Sequence, residues 1–272
     1  MTGIPGANQK PATAARIYDY FLGGIHNFTA DQEAAKAIMG RAPSIQAIAR
    51  TNRAFLGRAV RYLTSVGVKQ FLDIGSGIPT VGNVHEVAQA EVPDARVVYV
   101  DIDPVAVAES LELLDGNPWA TAVRGDLRDA RALLEMPQVR KTLDFDQPIG
   151  LLLVGVLYFV PDNTEAYASV ADLLAPLVPG SHLVLSHGTL EGKAFSEGDL
   201  KSTQDVYRRQ TATPLEMRTR EEIARFFDGL DLVEPGLVWQ PEWRPDPDEQ
   251  GDFDAEPERS RMLTGVGRVS VR

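Results

Sequence analysis

The 272-residue chain has no cysteine. Disulfides, zinc–thiolate sites and iron–sulfur clusters are therefore excluded, and so is any mechanism built on a cysteine nucleophile. No metal site is expected. Long hydrophobic runs are also missing. The longest, Ile149 to Val160, is too short to cross a bilayer. The opening stretch MTGIPGANQKPATAAR lacks the apolar core of a signal peptide, so a cytoplasmic protein is the default expectation.

Hydrophobic residues make up 44% and charged residues 24% of the chain. This is the globular range, and a core of this size needs no covalent staple. The net charge of −11 is unevenly spread: residues 1–70 carry nine Lys and Arg against three acids, whereas the remainder carries 18 against 35. An acidic body argues against a surface that tracks nucleic-acid phosphates. The basic N-terminal third leaves room for a small anionic ligand, or is simply a solvated helix face.

Residues 1–11 hold little to bury and read as disordered. Helices are expected at Ala12–Leu22, closed by Gly23-Gly24, and up to Met39 after Thr29-Ala30-Asp31-Gln32, which has capping-box form. A longer helix is expected from Ser44 to Ser65, where Ile45, Ile48, Phe55, Leu56, Val60 and Leu63 fall on one stripe. Residues 12–66 thus form a helical cap. After Gly67, short apolar runs alternate with helical stretches, the pattern of a mostly parallel sheet. Strands are expected at Gln70–Ile74, Arg96–Val100, Thr121–Arg124, Ile149–Val154, His182–Ser186, Leu230–Val238 and Gly265–Val271. Helices are expected near 82–91, 104–115, 128–135, 164–176 and Arg220–Phe227. Residues 242–258 carry eight acids and three prolines and read as a mobile surface loop. The fold class is α/β, a doubly wound Rossmann-like sheet over 67–272 that forms one unit with the cap.

Three strand ends carry the chemistry. Phe71-Leu72-Asp73-Ile74-Gly75-Ser76-Gly77 is a buried strand followed by a glycine turn, where backbone can approach a ligand without a Cβ in the way. Val97 to Asp103 is a second such strand, and Asp101 at its end can accept both hydrogen bonds of a ribose diol. The third glycine of a dinucleotide fingerprint is replaced by Thr80, which favours a nucleoside without pyrophosphate over NAD. Val123-Arg124-Gly125-Asp126-Leu127 ends the third strand. Asp126 can accept from an adenine amino group while Leu127 covers a ring face; alternatively, Asp126 caps the next helix.

Asp73-Ile74-Gly75-Ser76-Gly77, Asp101 and Asp126 resemble the cofactor motifs of class I S-adenosylmethionine methyltransferases. Arg16 to Gly24 with Asn27-Phe28, Asn52 to Leu56, Gly82 to Ala88 and Leu157 to Pro161 resemble, more narrowly, the actinobacterial S-adenosyl methyltransferase family, formerly a domain of unknown function. The likeness runs from about 12 to 271. It implies a seven-stranded sheet with an antiparallel last strand, and S-adenosylmethionine as cofactor. It implies no acceptor.

For the methionine end, Arg53 or Arg16 is placed to pair a carboxylate, and Tyr18, Tyr20 and Asn27 to close over a sulfonium. The alternative is that these aromatics only dock the helix. The candidate cofactor set is Tyr18, Asn27, Arg53, Asp73, Gly75, Ser76, Gly77, Asp101, Ile102, Asp126, Leu127 and Val154. Val154 to Pro161 lacks the amide or acid that would hold a planar amine, which disfavours nucleic-acid N-methylation and leaves an apolar pocket with one phenol, Tyr158. His187 at the fifth strand end is the candidate general base, with a structural histidine as the alternative; Asp103 is expected to cap the Pro104 helix. The expected activity is methyl transfer to a small, partly apolar acceptor at O or N, without nucleic acid or membrane. The rival is a cofactor-binding sensor or partner module without turnover.

Overall fold

The computed structural model describes residues 11–79, 82–192, 214–247 and 250–271; the expectations for residues 1–10 and Thr80 lie outside them. Three helices come first: α1 (Ala14–Phe21), α2 (Thr29–Met39) and α3 (Ile45–Ser65). Then follow β1 (Gln70–Ile74), α4 (Val84–Glu91), β2 (Arg96–Asp101), α5 (Pro104–Leu113), β3 (Ala120–Arg124), α6 (Ala130–Leu134), α7 (Pro137–Thr142), β4 (Gly150–Val154), α8 (Asn163–Leu174) and β5 (His182–Gly188). The last elements are α9 (Arg220–Ala224), β6 (Asp231–Leu232), β7 (Val238–Trp239) and β8 (Met262–Arg268).

The strands form one sheet in the order β3-β2-β1-β4-β5-β8-β6, with β7 also paired to β8. β1 to β5 pair in parallel, and β8 is antiparallel to β5. The sheet has the seven strand positions and the antiparallel closing strand expected of the α/β methyltransferase architecture. The sixth strand expected over Leu230–Val238 is split into β6 and β7, which both lie along β8. Pro235 has no N–H to offer a ladder, and Gly236 at φ +90° turns the chain.

Alternation along β1 sends Leu72 and Ile74 to one face and Phe71 to the other. The second face is covered by α3, about 30 Å long. Its Ala49, Asn52, Phe55, Leu56, Ala59, Val60 and Leu63 are all buried, a stripe at i, i+3 and i+4 spacing. The cap helices have a small core of their own around Ile17, Phe21, Ala35 and Ile38.

Three local expectations change. The α2 helix is capped one residue earlier than expected: the Phe28 N–H donates to Asp31 Oδ2 at 2.9 Å, because the carboxylate is drawn inward by Arg16. The short, polar helix α7 has no apolar stripe and was not anticipated. The segment 242–258, expected to be a mobile loop, holds Trp243, which is fully buried between Phe55 and Tyr62 with ring centroids 5.5 and 5.8 Å away. Phe253 is buried against Ile48 and Met262, and Arg50 grips Asp252 through two bonds of 3.0–3.1 Å. Glu242, Asp252, Asp254 and Glu256 are exposed while two aromatics anchor the segment, a division that composition averages away.

Candidate active site

Strand order reverses between β1 and β4, and their carboxyl ends open the crevice where open α/β sheets bind ligands. The glycine turn after β1 lines it. Gly75 and Gly77 have φ of +72° and +67°, a region that costs glycine little. A Cβ on Gly75 would lie 2.3 Å from Val156 Cγ2, so the turn lies directly against the chain leaving β4. The N–H groups of Gly75 and Ser76 donate to the Val100 carbonyl at 2.8 and 3.2 Å.

Asp101 joins the two sides of the β1–β2 rim. Its Oδ2 accepts from the Gly77 N–H at 2.8 Å and its Oδ1 from the Asp103 N–H at 2.8 Å. Burial pushes its carboxyl up to about 6, against the pull of backbone N–H groups from Asp103, Gly77 and Ile102. Each oxygen keeps a further lone pair for a hydroxyl donor. Asp73 is buried beside it. Its carboxyl is pushed up to about 7 by burial, a rise opposed by the Arg53 guanidinium and reinforced by Asp101.

Beyond Asp101 lies a cleft of about 350 Å³ lined by Ile102, Gly125, Asp126 and Met136 among others. Ile102 is 52% exposed, an apolar side chain offered to solvent at the mouth of the crevice. Asp126 is at the cleft and is also a cap: its Oδ1 accepts from the Arg128 N–H at 3.0 Å, and the Arg128 side chain holds the carboxylate at 2.5–3.0 Å. That guanidinium holds its pKa below the ordinary value. Leu127 is buried in the sheet core, so Ile102 rather than Leu127 has the free apolar face.

The cap residues divide. Tyr18 is half-buried, donates from its hydroxyl to the Ala49 carbonyl at 3.1 Å and accepts from Asn52 Nδ2 at 3.2 Å. Its phenol is raised by burial, with Arg53 and Asn52 opposing. Tyr18, Arg53 and Asp73 therefore form one electrostatic group at the β1 end. Arg16 stands apart: it is 2% exposed, pairs with Asp31 at 2.9 Å and donates to the Pro11 carbonyl. Arg16 is thus committed to partners within the cap. Asn27 is committed too, because its amide donates to Asp19 at 2.8 Å and to the Gly24 carbonyl, and accepts from Gln32. These bonds build the Gly-Gly turn, and Asn27 can reach a methionine arm only by giving them up. The same holds for any hinged lid motion, since Thr13 bonds Asp103 and His26 pairs with Glu109 of α5. Asp103 caps α5 by accepting from the Val105 N–H at 2.9 Å, as expected.

On the acceptor side, half-buried Val154 ends β4. The following 3-10 turn, Leu157–Phe159, carries Tyr158, whose ring meets Phe159 and His187 edge-on at 4.6 and 5.7 Å. His187 does not suit a general base. It is fully buried, its Nδ1 faces the Gly188 carbonyl at 2.7 Å and its Nε2 faces Arg218 Nη1 at 2.8 Å. A guanidinium only donates, so Nε2 is the acceptor and the imidazole is neutral. Burial pushes its pKa down to about 3, and Arg218 adds to the fall. The alternative role, a structural histidine, is the one its contacts support.

The model of the S-adenosyl methyltransferase family matches residues 6–270. The chain belongs to that family. Its fold is shared with a candidate methyltransferase from Thermobifida fusca YX, which is 38% identical over 98% of both chains with a TM-score of 0.89. A DUF574-family protein from Streptomyces avermitilis MA-4680 is likewise 38% identical, over 97% of this chain and 99% of that one, with a TM-score of 0.88. The chain has no match among curated proteins. Family membership makes this an S-adenosylmethionine-dependent methyltransferase. The crevice fits that cofactor in kind, with a buried acid at the β2 end, an open apolar residue beside it, a cleft at the β3 end and, in the turn after β1, open space beside Gly77.

Two residues of this methyltransferase escaped the sequence. Asn52 carried only a family likeness, beside the more conspicuous Arg53. Arg218 carried no signal at all, yet it is 1% exposed and donates to Asn163 Oδ1 and to the Leu157 and Val160 carbonyls at 2.7–3.0 Å. It fastens the turn that bears Tyr158. Among the described residues no helix is long and apolar enough to cross a membrane.

Proposed function

We propose that the protein moves the methyl group of S-adenosylmethionine to an oxygen or nitrogen of a small, partly apolar acceptor. The observation that carries this is the make-up of the wall after β4: half-buried Tyr158 and Phe159 meet edge-on there, and the chain from Val154 to Pro161 has no amide or acid to hold a planar base. The acidic body argues in the same direction, against nucleic acid. In this reading Asp101 accepts from the ribose hydroxyls, Ile102 covers the adenine with Asp126 at its amino edge, and Gly75 to Gly77 face the methionine end. Arg53 pairs the methionine carboxylate, Asp73 faces its ammonium, and Tyr18 closes that end of the crevice.

When bound, S-adenosylmethionine would supply an electrophilic methyl group together with a neutral thioether as its leaving group. The protein's contribution is to hold the acceptor in line and to exclude water. With His187 tied up in its own contacts, the acceptor's proton leaves to solvent, directly or relayed through the Tyr158 hydroxyl, which gives up its own proton as it takes one. Incubation with methyl-tritiated cofactor and small-molecule extract fractions tests the proposal. Label passing to an extractable acceptor supports it. Label passing only to protein or nucleic acid, and to no small-molecule fraction, would overturn it.

A further inference from the structure

We propose that Asn52 is a positioning residue that holds Tyr18 at the methionine end of the cofactor crevice. The inference rests on the role given to Tyr18 above. Asn52 lies on α3 and is 5% exposed. Its amide is the meeting point of four elements. Nδ2 donates to the Tyr18 hydroxyl of α1 at 3.2 Å. Oδ1 accepts from Ser186 Oγ of β5 at 2.7 Å and from Gln240 Nε2, in the 3-10 turn after β7, at 2.6 Å.

The direction of each bond follows from the inventory of donors. The Tyr18 hydroxyl has one proton, which it gives to the Ala49 carbonyl at 3.1 Å, so toward Asn52 it must accept. That obliges the amide to turn its N–H to Tyr18 and its oxygen to Ser186 and Gln240, both of which can donate. The flipped amide would set its Oδ1 against the Tyr18 hydroxyl oxygen, two acceptors face to face, as long as that hydroxyl gives its proton to Ala49. The network therefore permits one orientation of Asn52 and, through it, one position of the phenol.

The amide also adjoins the crevice. A Cβ on Gly155, at the end of β4, would come within 3.1 Å of both Asn52 Nδ2 and the Tyr158 hydroxyl. The next residue, Val156, is the one pressed against Gly75. Contact thus runs from Asn52 through Gly155 and Val156 to the glycine turn. An apolar residue would fill a purely packing position on α3 without the cost of burying an amide. Here the amide joins the cap to the ends of β4 and β5, where cofactor and acceptor must meet.

The test is a double-mutant cycle read by calorimetric affinity for S-adenosylhomocysteine, with melting temperature as the check on folding. Asn52→Leu is expected to weaken binding by about three- to ten-fold, the range of one hydrogen bond. In the Tyr18→Phe background the same change is expected to add less than two-fold, because the hydroxyl through which Asn52 acts is already gone. Should Asn52→Leu fail to fold, Ser186→Ala, which removes one anchor of the amide, is expected to give a smaller loss with the same dependence on Tyr18. Equal losses in both backgrounds, or no loss from Tyr18→Phe while Tyr18→Ala weakens binding, would overturn the proposal for Asn52. Unchanged binding by Tyr18→Ala would instead overturn the role of Tyr18 itself.

Discussion

Replacing Asp101 by Asn separates stability from cofactor binding. In the folded protein the carboxyl titrates near 6 instead of 3.8. A midpoint raised this far means that the folded state prefers the protonated acid. That contribution to stability is fully present below about pH 4 and lost as pH rises through 6. At pH 7.5 the ionised carboxylate therefore costs about 3 kcal/mol relative to a neutral group. The amide removes this cost. It also turns an NH2 toward one of the two backbone N–H groups that Asp101 now satisfies, Gly77 or Asp103, and forfeits about 1.5–3 kcal/mol of charge-assisted bonding. The two effects nearly offset, so the melting temperature at pH 7.5 is expected to move by only a few degrees. Binding has no such compensation. Losing one charge-assisted bond to the ribose is expected to weaken S-adenosylmethionine by about 10- to 150-fold. Calorimetry and a thermal melt at pH 7.5 read both quantities. Affinity within two-fold of the parent, with the fold intact, would refute the assignment of Asp101 to the ribose. A collapse in melting temperature would refute the offset.

Three more outcomes are expected. Asp73, raised to about 7 by burial, favours the folded state when protonated, so in the absence of cofactor the melting temperature falls from pH 5 to pH 8; Asp73→Asn flattens that slope, and identical slopes would count against it. His187 has its pKa pushed down to about 3, so its neutral form stabilises the fold above about 6.5 and that contribution fades as pH falls; His187→Gln is expected to reduce acid sensitivity in melts while leaving methyl-label transfer in place, and abolished transfer by a folded, cofactor-binding variant would restore it as a base. Trp243→Ala removes a fully buried indole and is expected to cost about 3–5 kcal/mol in denaturant titration; a loss under 1 kcal/mol would return 242–258 to the status of a dispensable loop.

What could be read along the chain was local in origin. The acids at 73, 101 and 126 were found because a strand, its end and the next helix are neighbours in sequence, and because glycine at 75 and 77 marks a backbone that other residues avoid. The mostly parallel sheet followed from alternating short apolar runs and helical stretches, whose period is set by the backbone itself. Even the Pro104 helix cap could be assigned, since Asp103 and Val105 are two residues apart.

The side-chain partners were decided by tertiary structure alone. His187 looked like a base at a strand end until Arg218, 31 positions away, occupied its Nε2. Arg16 and Asn27 looked free for a ligand until Asp31 and Asp19 took them. Asn52 meets Ser186 and Gln240 across 134 and 188 positions, and Trp243 sits in an acidic, proline-bearing stretch whose composition argues for solvent. A polar side chain's role depends on which donors, acceptors and apolar walls the fold brings within about 3 Å of it. Periodicity records which face of an element turns inward, but not what waits there.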